Sequence, residues 1–228
     1  MCHFRYSLLL MLLMLLSAAP WVTAGASEEA DFYTLNARMI AAARNGEAPL
    51  VRDLLAQGAA PNTRNRGGNT ALLLFAERGD AAMVAYLLAQ GVDPQTPNLD
   101  KVTPLMAATS AGCLACVDAL LAKGARVGVR DQIDKSAATY AAAGGHVEIL
   151  KALSTAGVDL AERDGHALTL LMWAAGYGQN AMVRYLLQAG VDPALRDDRG
   201  KDAAEVAAEL GHAEAAALVR AAQGENAR

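Results

Sequence analysis

Residues 101–125 read KVTPLMAATSAGCLACVDALLAKGA and carry the start and stop signals of two short helices. The side chain of Thr103 is of a type that accepts hydrogen bonds from the free amides at a helix start, and Pro104 fits the first helical position because that position needs no amide hydrogen. Gly112 is typical of a helix end, and Gly124 ends the second apolar segment in the same way. The stretch therefore predicts a turn, a helix, a second turn and a second helix.

The same signals recur every 33 residues along the chain. Positions that lie 33 apart form columns, and four columns hold related residues: Asn or Asp in a turn, Thr, Ser or Asp at a helix start, and Gly after the first and after the second helix. The columns comprise Asn65, Asn98, Asp131, Asp164 and Asp197; Thr70, Thr103, Ser136, Thr169 and Asp202; Gly46, Gly79, Gly112, Gly145, Gly178 and Gly211; and Gly58, Gly91, Gly124, Gly157 and Gly190. Asn and Asp favour tight turns because their side chains hydrogen-bond the local backbone. The period predicts a repeat protein, with room for about six units after residue 24.

A unit of this length and order resembles the ankyrin repeat. Further matches are GNTALLLFAERGDAAMVAYLLAQGVD from Gly68, LTLLMWAAGYGQNAMVRYLLQAGVD from Leu168 and the half-unit GGHVEILKALSTAGVD from Gly144. The resemblance covers residues 33–223 and implies an all-α solenoid of about six helix-turn-helix units with short β-turn tips. It also implies protein binding, because ankyrin repeats usually bind their ligands on the concave face that the turn tips and first helices form.

Residues 1–24 have the composition of a secretory signal peptide. Arg5 precedes the unbroken apolar run Leu8–Leu16, and small residues suited to cleavage end the segment. An uncleaved anchor is the alternative, but the run is shorter than the roughly 20 apolar residues that span a bilayer. We therefore expect an exported protein of a bacterial periplasm, with no membrane association after cleavage. The expected division is a signal peptide at 1–24, a flexible segment at 25–32, the repeat domain at 33–223 and a tail at 224–228.

Composition and motifs argue against catalysis and nucleic-acid binding. The formal net charge is −4, with 20 Lys and Arg against 24 Asp and Glu, and no basic block is present to hold a phosphate backbone. Beyond residue 24 the histidines are His146, His166 and His212, without a nucleophile partner, a metal-ligand motif or a phosphate loop. We therefore expect a monomeric, non-enzymatic protein with no catalytic residue, cofactor, metal or nucleic-acid partner.

The candidate partner surface follows from placing this sequence on ankyrin geometry. Apolar residues at adjacent exposed tips predict a contiguous patch, and such patches mark partner sites. Aromatic residues are favoured anchors at interfaces. The predicted partner-binding residues are Arg66, Asn69, Arg78, Leu99, Val102, Ile133, Lys135, His166, Leu168, Trp173, Tyr177 and Arg199.

Two points about this surface stay open at the level of the sequence. Tyr140 and Trp173 share a first-helix column, and packing between repeats explains them as well as partner binding does. The partner is a protein of unknown identity, and the chain is expected to act as an accessory or inhibitor of a periplasmic enzyme. An antioxidant enzyme such as catalase and a toxin are both compatible with the sequence.

A second hypothesis rests on Cys113 and Cys116, which form a C-x-x-C motif at the start of a predicted second helix. A helix start lowers the pKa of a thiol in redox proteins. The pair could therefore form a local disulfide or act in thiol redox chemistry. Cys116, however, occupies an apolar column with Met83, Ile149 and Met182, which predicts a buried structural residue.

Overall fold

The structure, a computed structural model, describes residues 34–226, with side-chain environments up to residue 224. The predicted signal peptide at 1–24 and the segment at 25–32 lie outside the described residues. Within 34–226 the chain forms helices joined by turns, with two isolated β-bridges and no strand. The helices are α1 (34–45), α2 (Ala48–Ala56), α3 (Ala71–Glu77), α4 (Ala81–Ala89), α5 (Pro104–Ser110), α6 (Leu114–Ala122), α7 (Ala137–Gly144), α8 (Val147–Thr155), α9 (Leu170–Gly176), α10 (Asn180–Gln188), α11 (Ala203–Glu209) and α12 (Ala213–Asn226).

This architecture confirms the predicted all-α solenoid of six helix pairs. The odd-numbered helices from α3 to α11 pack against one another in one row, and the even-numbered helices from α4 to α12 form a second row behind them. No helix in the described part of the chain is long and apolar enough to cross a bilayer. Helix α12 continues to Asn226, past the predicted end of the domain at residue 223.

The helix starts are capped as the repeat columns predict. The hydroxyl oxygens of Thr70, Thr103, Ser136 and Thr169 accept hydrogen bonds at 3.1 to 3.3 Å from the backbone amide three residues later. Asp202 does the same for α11 at 2.9 Å. Each cap satisfies one of the amides that a helix start leaves without an internal partner.

The tips between the pairs are tight turns built around the Asn and Asp column. In the first tip, Oδ1 of Asn65 accepts hydrogen bonds from the amides of Gly67 at 2.9 Å and Asn69 at 3.0 Å. The tips also bond to one another, since Leu99 N donates to the carbonyl of Gly67 at 3.0 Å. The tips therefore form a hydrogen-bonded string along one edge of the solenoid.

The core runs continuously through the stack instead of closing around one centre. Its largest fully buried side chains include Phe75 in α3, Leu105 in α5 and Leu150 in α8. Small residues such as Ala138 and Ala175 are also fully buried and let neighbouring helices approach closely. Each unit buries its apolar face only against its neighbours, as in other repeat proteins.

Candidate functional site

The four apolar tip residues divide into two exposed and two half-buried positions. The side chains of Leu99 and Ile133 are 64% and 67% exposed, whereas Val102 and Leu168 are half-buried and pack against the core. The predicted contiguous apolar patch across the tips is therefore wrong for two of its four members. Val102 and Leu168 lie where the chain leaves the tip for the next helix, and their amides are tied to the turn residue four positions earlier.

Aromatic side chains cluster on the first helices of the fourth and fifth units. The Trp173 and Tyr177 ring centroids are 6.0 Å apart. The Lys135 ammonium lies 4.5 Å from the centroid of the Trp173 ring and 5.8 Å from that of Tyr140. Cations over aromatic faces are attracted by the ring quadrupole, so Lys135 links two units through their rings. Tyr177 remains 53% exposed.

Two of these rings are fixed by the turn of their own unit. The Trp173 indole Nε1–H donates to Oδ2 of Asp164 at 3.0 Å, and the Tyr140 hydroxyl donates to Oδ2 of Asp131 at 2.6 Å. Burial, followed by the hydrogen bond and negative charge of Asp131, raises the pKa of Tyr140 well above its usual value. The two half-buried aromatic residues therefore serve as rigid supports, and each keeps part of its ring at the surface.

A small apolar pocket opens beside the Trp173 and Tyr177 rings. Its volume is about 140 Å³. Its wall combines α9, α11, the residue that follows each of these helices, the entry to α9 and the last tip: Leu168, Met172, Trp173, Gly176, Tyr177, Arg199, Val206 and Leu210. Leu210 is 58% exposed although it is a large apolar side chain. We call Lys135, Tyr140, Trp173, Tyr177 and Leu210 the inner aromatic surface.

Leu210 was not among the predicted partner-binding residues, although its position in the repeat indicates it. It lies 33 residues after Tyr177 and so shares its column, which places the two exposed side chains on adjacent units. Gly176 allows this close arrangement, because a Cβ there would lie 3.2 Å from Cγ1 of Val206 and 3.3 Å from Cδ1 of Leu210. The pocket is thus a product of two neighbouring units.

The inner face continues from this pocket towards the amino-terminal units. A second pocket of about 280 Å³ is lined by Glu77, Val102, Met106, Ala107, Ser110, Ala111 and Tyr140. Burial raises the pKa of Glu77 and outweighs the opposite effect of the Arg78 charge. Tyr140 contributes to this pocket and to the inner aromatic surface, so the two regions adjoin.

Arg199 is held in place at the rim of the apolar pocket. Its Nε and Nη2 donate to Oδ2 of Asp197 at 2.9 and 2.7 Å. Burial opposes ionisation of Asp197, but hydrogen bonds from the Lys201 amide and from Arg199, together with the Arg199 charge, lower its pKa overall. His166 contacts the next tip, with Nδ1 3.2 Å from Oδ2 of Asp198. Arg199 and His166, two of the predicted partner-binding residues, therefore lie near the pocket, and each already contacts a carboxylate of the chain.

The amino-terminal members of the predicted set lie apart from this pocket. The Arg78 guanidinium donates to the Arg44 carbonyl of the preceding unit. Arg66 and Asn69 belong to the first tip, and they line a groove of about 770 Å³ between that tip and α1. The structure therefore brings Lys135, Leu168, Trp173, Tyr177 and Arg199 together with Leu210 and leaves Arg66, Asn69 and Arg78 at the other end.

A column of tip arginines was also missed from the sequence. Arg130 Nη2 donates to the Arg163 carbonyl at 3.0 Å, Arg163 Nη2 donates to the Arg196 carbonyl, and Arg64 Nη2 donates to the Pro97 carbonyl. Each partner lies 33 residues further along the chain. Two features of the sequence hide this column. Pro97 interrupts its regularity, and an arginine at a tip is usually a solvent-exposed charge without a structural role. These side chains fasten one tip to the next.

Cys113 and Cys116 form a disulfide bond at the start of α6. Sγ of Cys113 also accepts a hydrogen bond from the Cys116 amide at 3.2 Å, which caps the helix. Cys116 is fully buried, as its apolar column predicts. Across residues 34–226, no cluster of His, Cys, Asp and Glu side chains has the arrangement of a metal site.

The comparison with protein families agrees with this geometry. The family described as ankyrin repeats (3 copies) matches residues 39–131 and again residues 132–227. Together the two matches cover most of the chain and nearly all of its described part. Among the curated proteins, none is similar enough to this sequence to count as a match.

Proposed function

The chain belongs to the ankyrin repeat family, and we propose that it binds a partner protein on the face formed by its turn tips and first helices. The observation that carries this proposal is the pair of large exposed side chains, Tyr177 and Leu210, on adjacent units around one apolar pocket. Exposed apolar side chains that converge on a pocket mark interaction sites, and aromatic anchors dominate binding energies. The pocket suits one apolar side chain of the partner, with Arg199 at its rim.

Contacts within the chain hold the aromatic rings of this surface in place before a partner binds. Trp173 and Tyr140 are already hydrogen-bonded to their turn carboxylates, and Lys135 lies over both rings. Binding therefore orders few additional side chains, and a surface formed in advance loses less entropy on association. A rigid, non-catalytic binding module is the role that this arrangement supports.

We place this binding in the bacterial periplasm, on the strength of the signal-like residues 1–24. The proposed partner is one periplasmic enzyme, which the monomeric chain assists or inhibits. An antioxidant enzyme such as catalase and a secreted toxin are the two kinds of partner to test first. Fractionation of the bacterial cells that produce the protein checks this compartment. Recovery of the protein in the cytoplasmic fraction alone would contradict the periplasmic location.

The binding face is tested with Tyr177→Asp and Leu210→Asp. We expect each variant to recover at least about tenfold less partner from a periplasmic extract, because truncating a central anchor commonly costs 2 kcal/mol or more. Leu114→Asp is the matched control, since Leu114 is an exposed apolar residue on α6 outside the inner aromatic surface. Helical content, measured by circular dichroism, should be equal in all three. Equal partner recovery by all variants would rule out this face.

The disulfide between Cys113 and Cys116 favours a second candidate, a thiol-redox function. In this role the bond would open by attack of a substrate thiolate on one sulfur, which forms a mixed disulfide and releases the other sulfur as a thiolate. Cys113 is the more accessible of the two residues. A Cys113→Ser variant should then lose the function of the chain in the cell while keeping its fold. Full function in that variant would remove the redox candidate and leave the binding proposal untouched.

A further inference from the structure

We propose that the groove between α1 and the first tip binds an acidic, extended segment of the partner protein. This inference rests on the proposed function, because it describes a second contact region of the same partner at the opposite end of the solenoid. The groove is lined by Ala37, Ile40 and Arg44 from one face of α1 and by residues 63–67 and Asn69 from the tip. Among residues 34–226, no acidic side chain lines it.

Two of the three arginines that line this groove have no partner in the described chain, which sets them apart from most of its arginines. The described arginines typically donate to a tip carbonyl, as Arg163 does, or pair with a carboxylate, as Arg199 does with Asp197. The guanidinium groups of Arg44 and Arg66 have no hydrogen-bond or ion-pair partner within residues 34–226. Two such arginines in the lining of one groove favour an anion there.

A free backbone donor accompanies these charges at the first tip. In later tips, the amide of the corresponding residue donates to the preceding tip: Leu99 N to Gly67, Gln132 N to Asp100 and Asp198 N to His166. Arg66 occupies this position in the first tip, which has no tip before it within residues 34–226. Its amide has no acceptor in the part of the chain that the structure describes. The string of tips therefore ends in an open donor beside two open guanidinium groups.

Carboxylates match this combination of donors. A guanidinium presents parallel N–H groups that fit the two oxygens of a carboxylate, and a backbone N–H adds a further donor. An extended segment can also place its own backbone carbonyl on the Arg66 amide, as the following tips do with one another.

The test is a titration of the purified chain with a fluorescein-labelled hexaglutamate peptide, followed by fluorescence anisotropy. We expect saturable binding that weakens as salt is added, and no binding of the matched hexaglutamine peptide. Arg44→Ala and Arg66→Ala should each weaken hexaglutamate binding about tenfold, because each removes a charge-assisted contact. Arg38→Ala is the control, since Arg38 is an exposed arginine of α1 that does not line the groove.

Three outcomes would overturn the assignment. They are no binding of hexaglutamate, equal weakening by Arg38→Ala and Arg44→Ala, and equal or tighter binding of a labelled hexanucleotide. Tyr177→Asp should leave hexaglutamate binding unchanged. A failure of this site is therefore distinguishable from a failure of the inner aromatic surface, which is measured by partner recovery.

Discussion

At the scale of single residues, one position of every tip is forced into the left-handed backbone region. The column comprises Gly68, Lys101, Asp134, Ala167 and Gly200, with φ between 59° and 79°. The strain is smallest for glycine and costs other residues about 1–2 kcal/mol. At Gly68 the approach is also close, because a Cβ there would lie 2.9 Å from Leu99 N. The turn geometry therefore overrides the preference of the residue that occupies it.

Ala167→Gly should raise the free energy of unfolding by about 0.5–1 kcal/mol, because it relieves left-handed strain at the cost of a more flexible unfolded chain. Urea denaturation followed by circular dichroism measures the change. Ala85→Gly is the matched control with the opposite sign, since Ala85 is exposed in the middle of α4 and glycine there should destabilise by about 0.5–1 kcal/mol. Destabilisation by both substitutions would contradict the strain argument.

At the scale of elements, the tips are held by side chains as well as by backbone bonds. Nε of Arg163 donates to the Ala167 carbonyl in its own tip at 3.0 Å, while Nη2 reaches the Arg196 carbonyl of the next. Arg130 and Arg196 also bind the carbonyl four residues ahead, in their own tips. The arginine column thus fixes the spacing between units on the side that carries the proposed binding face.

Arg163→Lys should lower the free energy of unfolding by about 1 kcal/mol, since an ammonium group cannot donate to the Ala167 and Arg196 carbonyls together as the planar guanidinium does. Arg66→Lys provides the comparison, because Arg66 is a tip arginine without an internal partner in the described chain. We expect its stability to stay within about 0.5 kcal/mol of the original. Equal effects of the two substitutions in a urea titration would show that the arginine column is not structural.

The last tip should weaken as the pH falls. The pKa of Asp197 is lowered in the folded chain, so its contribution to stability is complete above the unfolded pKa near 4 and is lost as the pH falls through the folded pKa. Asp197→Asn keeps the turn acceptor, as Asn65 and Asn98 show in the same column, but loses the charge pair with Arg199. The stability gap between the original chain and this variant should therefore be smaller at pH 3 than at pH 7.

Thermal unfolding at the two pH values measures this gap. Asp118→Asn is the control, because Asp118 is exposed on α6 and has no ion pair in the described chain. Its effect on the unfolding temperature should be small at both pH values. If the unfolding temperatures of the original chain and Asp197→Asn differ by the same amount at pH 7 and pH 3, the Asp197 charge does not stabilise this turn.

At the scale of the whole molecule, the repeat period accounts for the helix pairs, caps and tips, because those depend on signals within one unit. The surface depends on contacts between units, and there the sequence was less informative. Val102 and Leu168 are half-buried and line two different pockets instead of one open patch. Leu210 completes the apolar pocket that begins in the preceding unit. A column describes what each unit repeats, whereas a binding site arises from how adjacent units differ.

The whole molecule presents two regions of unlike chemistry on its units. The inner aromatic surface lies at the fourth to sixth units, and the groove with Arg44 and Arg66 lies at the first. Between them, the second pocket adjoins Tyr140 and keeps the inner face continuous. A partner that spans the face would meet an apolar anchor site at one end and an anion site at the other.

Site-specific photo-crosslinking in living cells tests whether a partner protein binds the inner aromatic surface. A photoreactive residue is placed in turn at positions 133, 177 and 210 on the tips and first helices, and at position 114 on the second-helix row, and the products are identified by mass spectrometry. We expect one dominant partner protein, captured from positions 133, 177 and 210 and absent from position 114. Capture of the same protein from 114 alone, or equally from all four positions, would contradict binding on the inner aromatic surface.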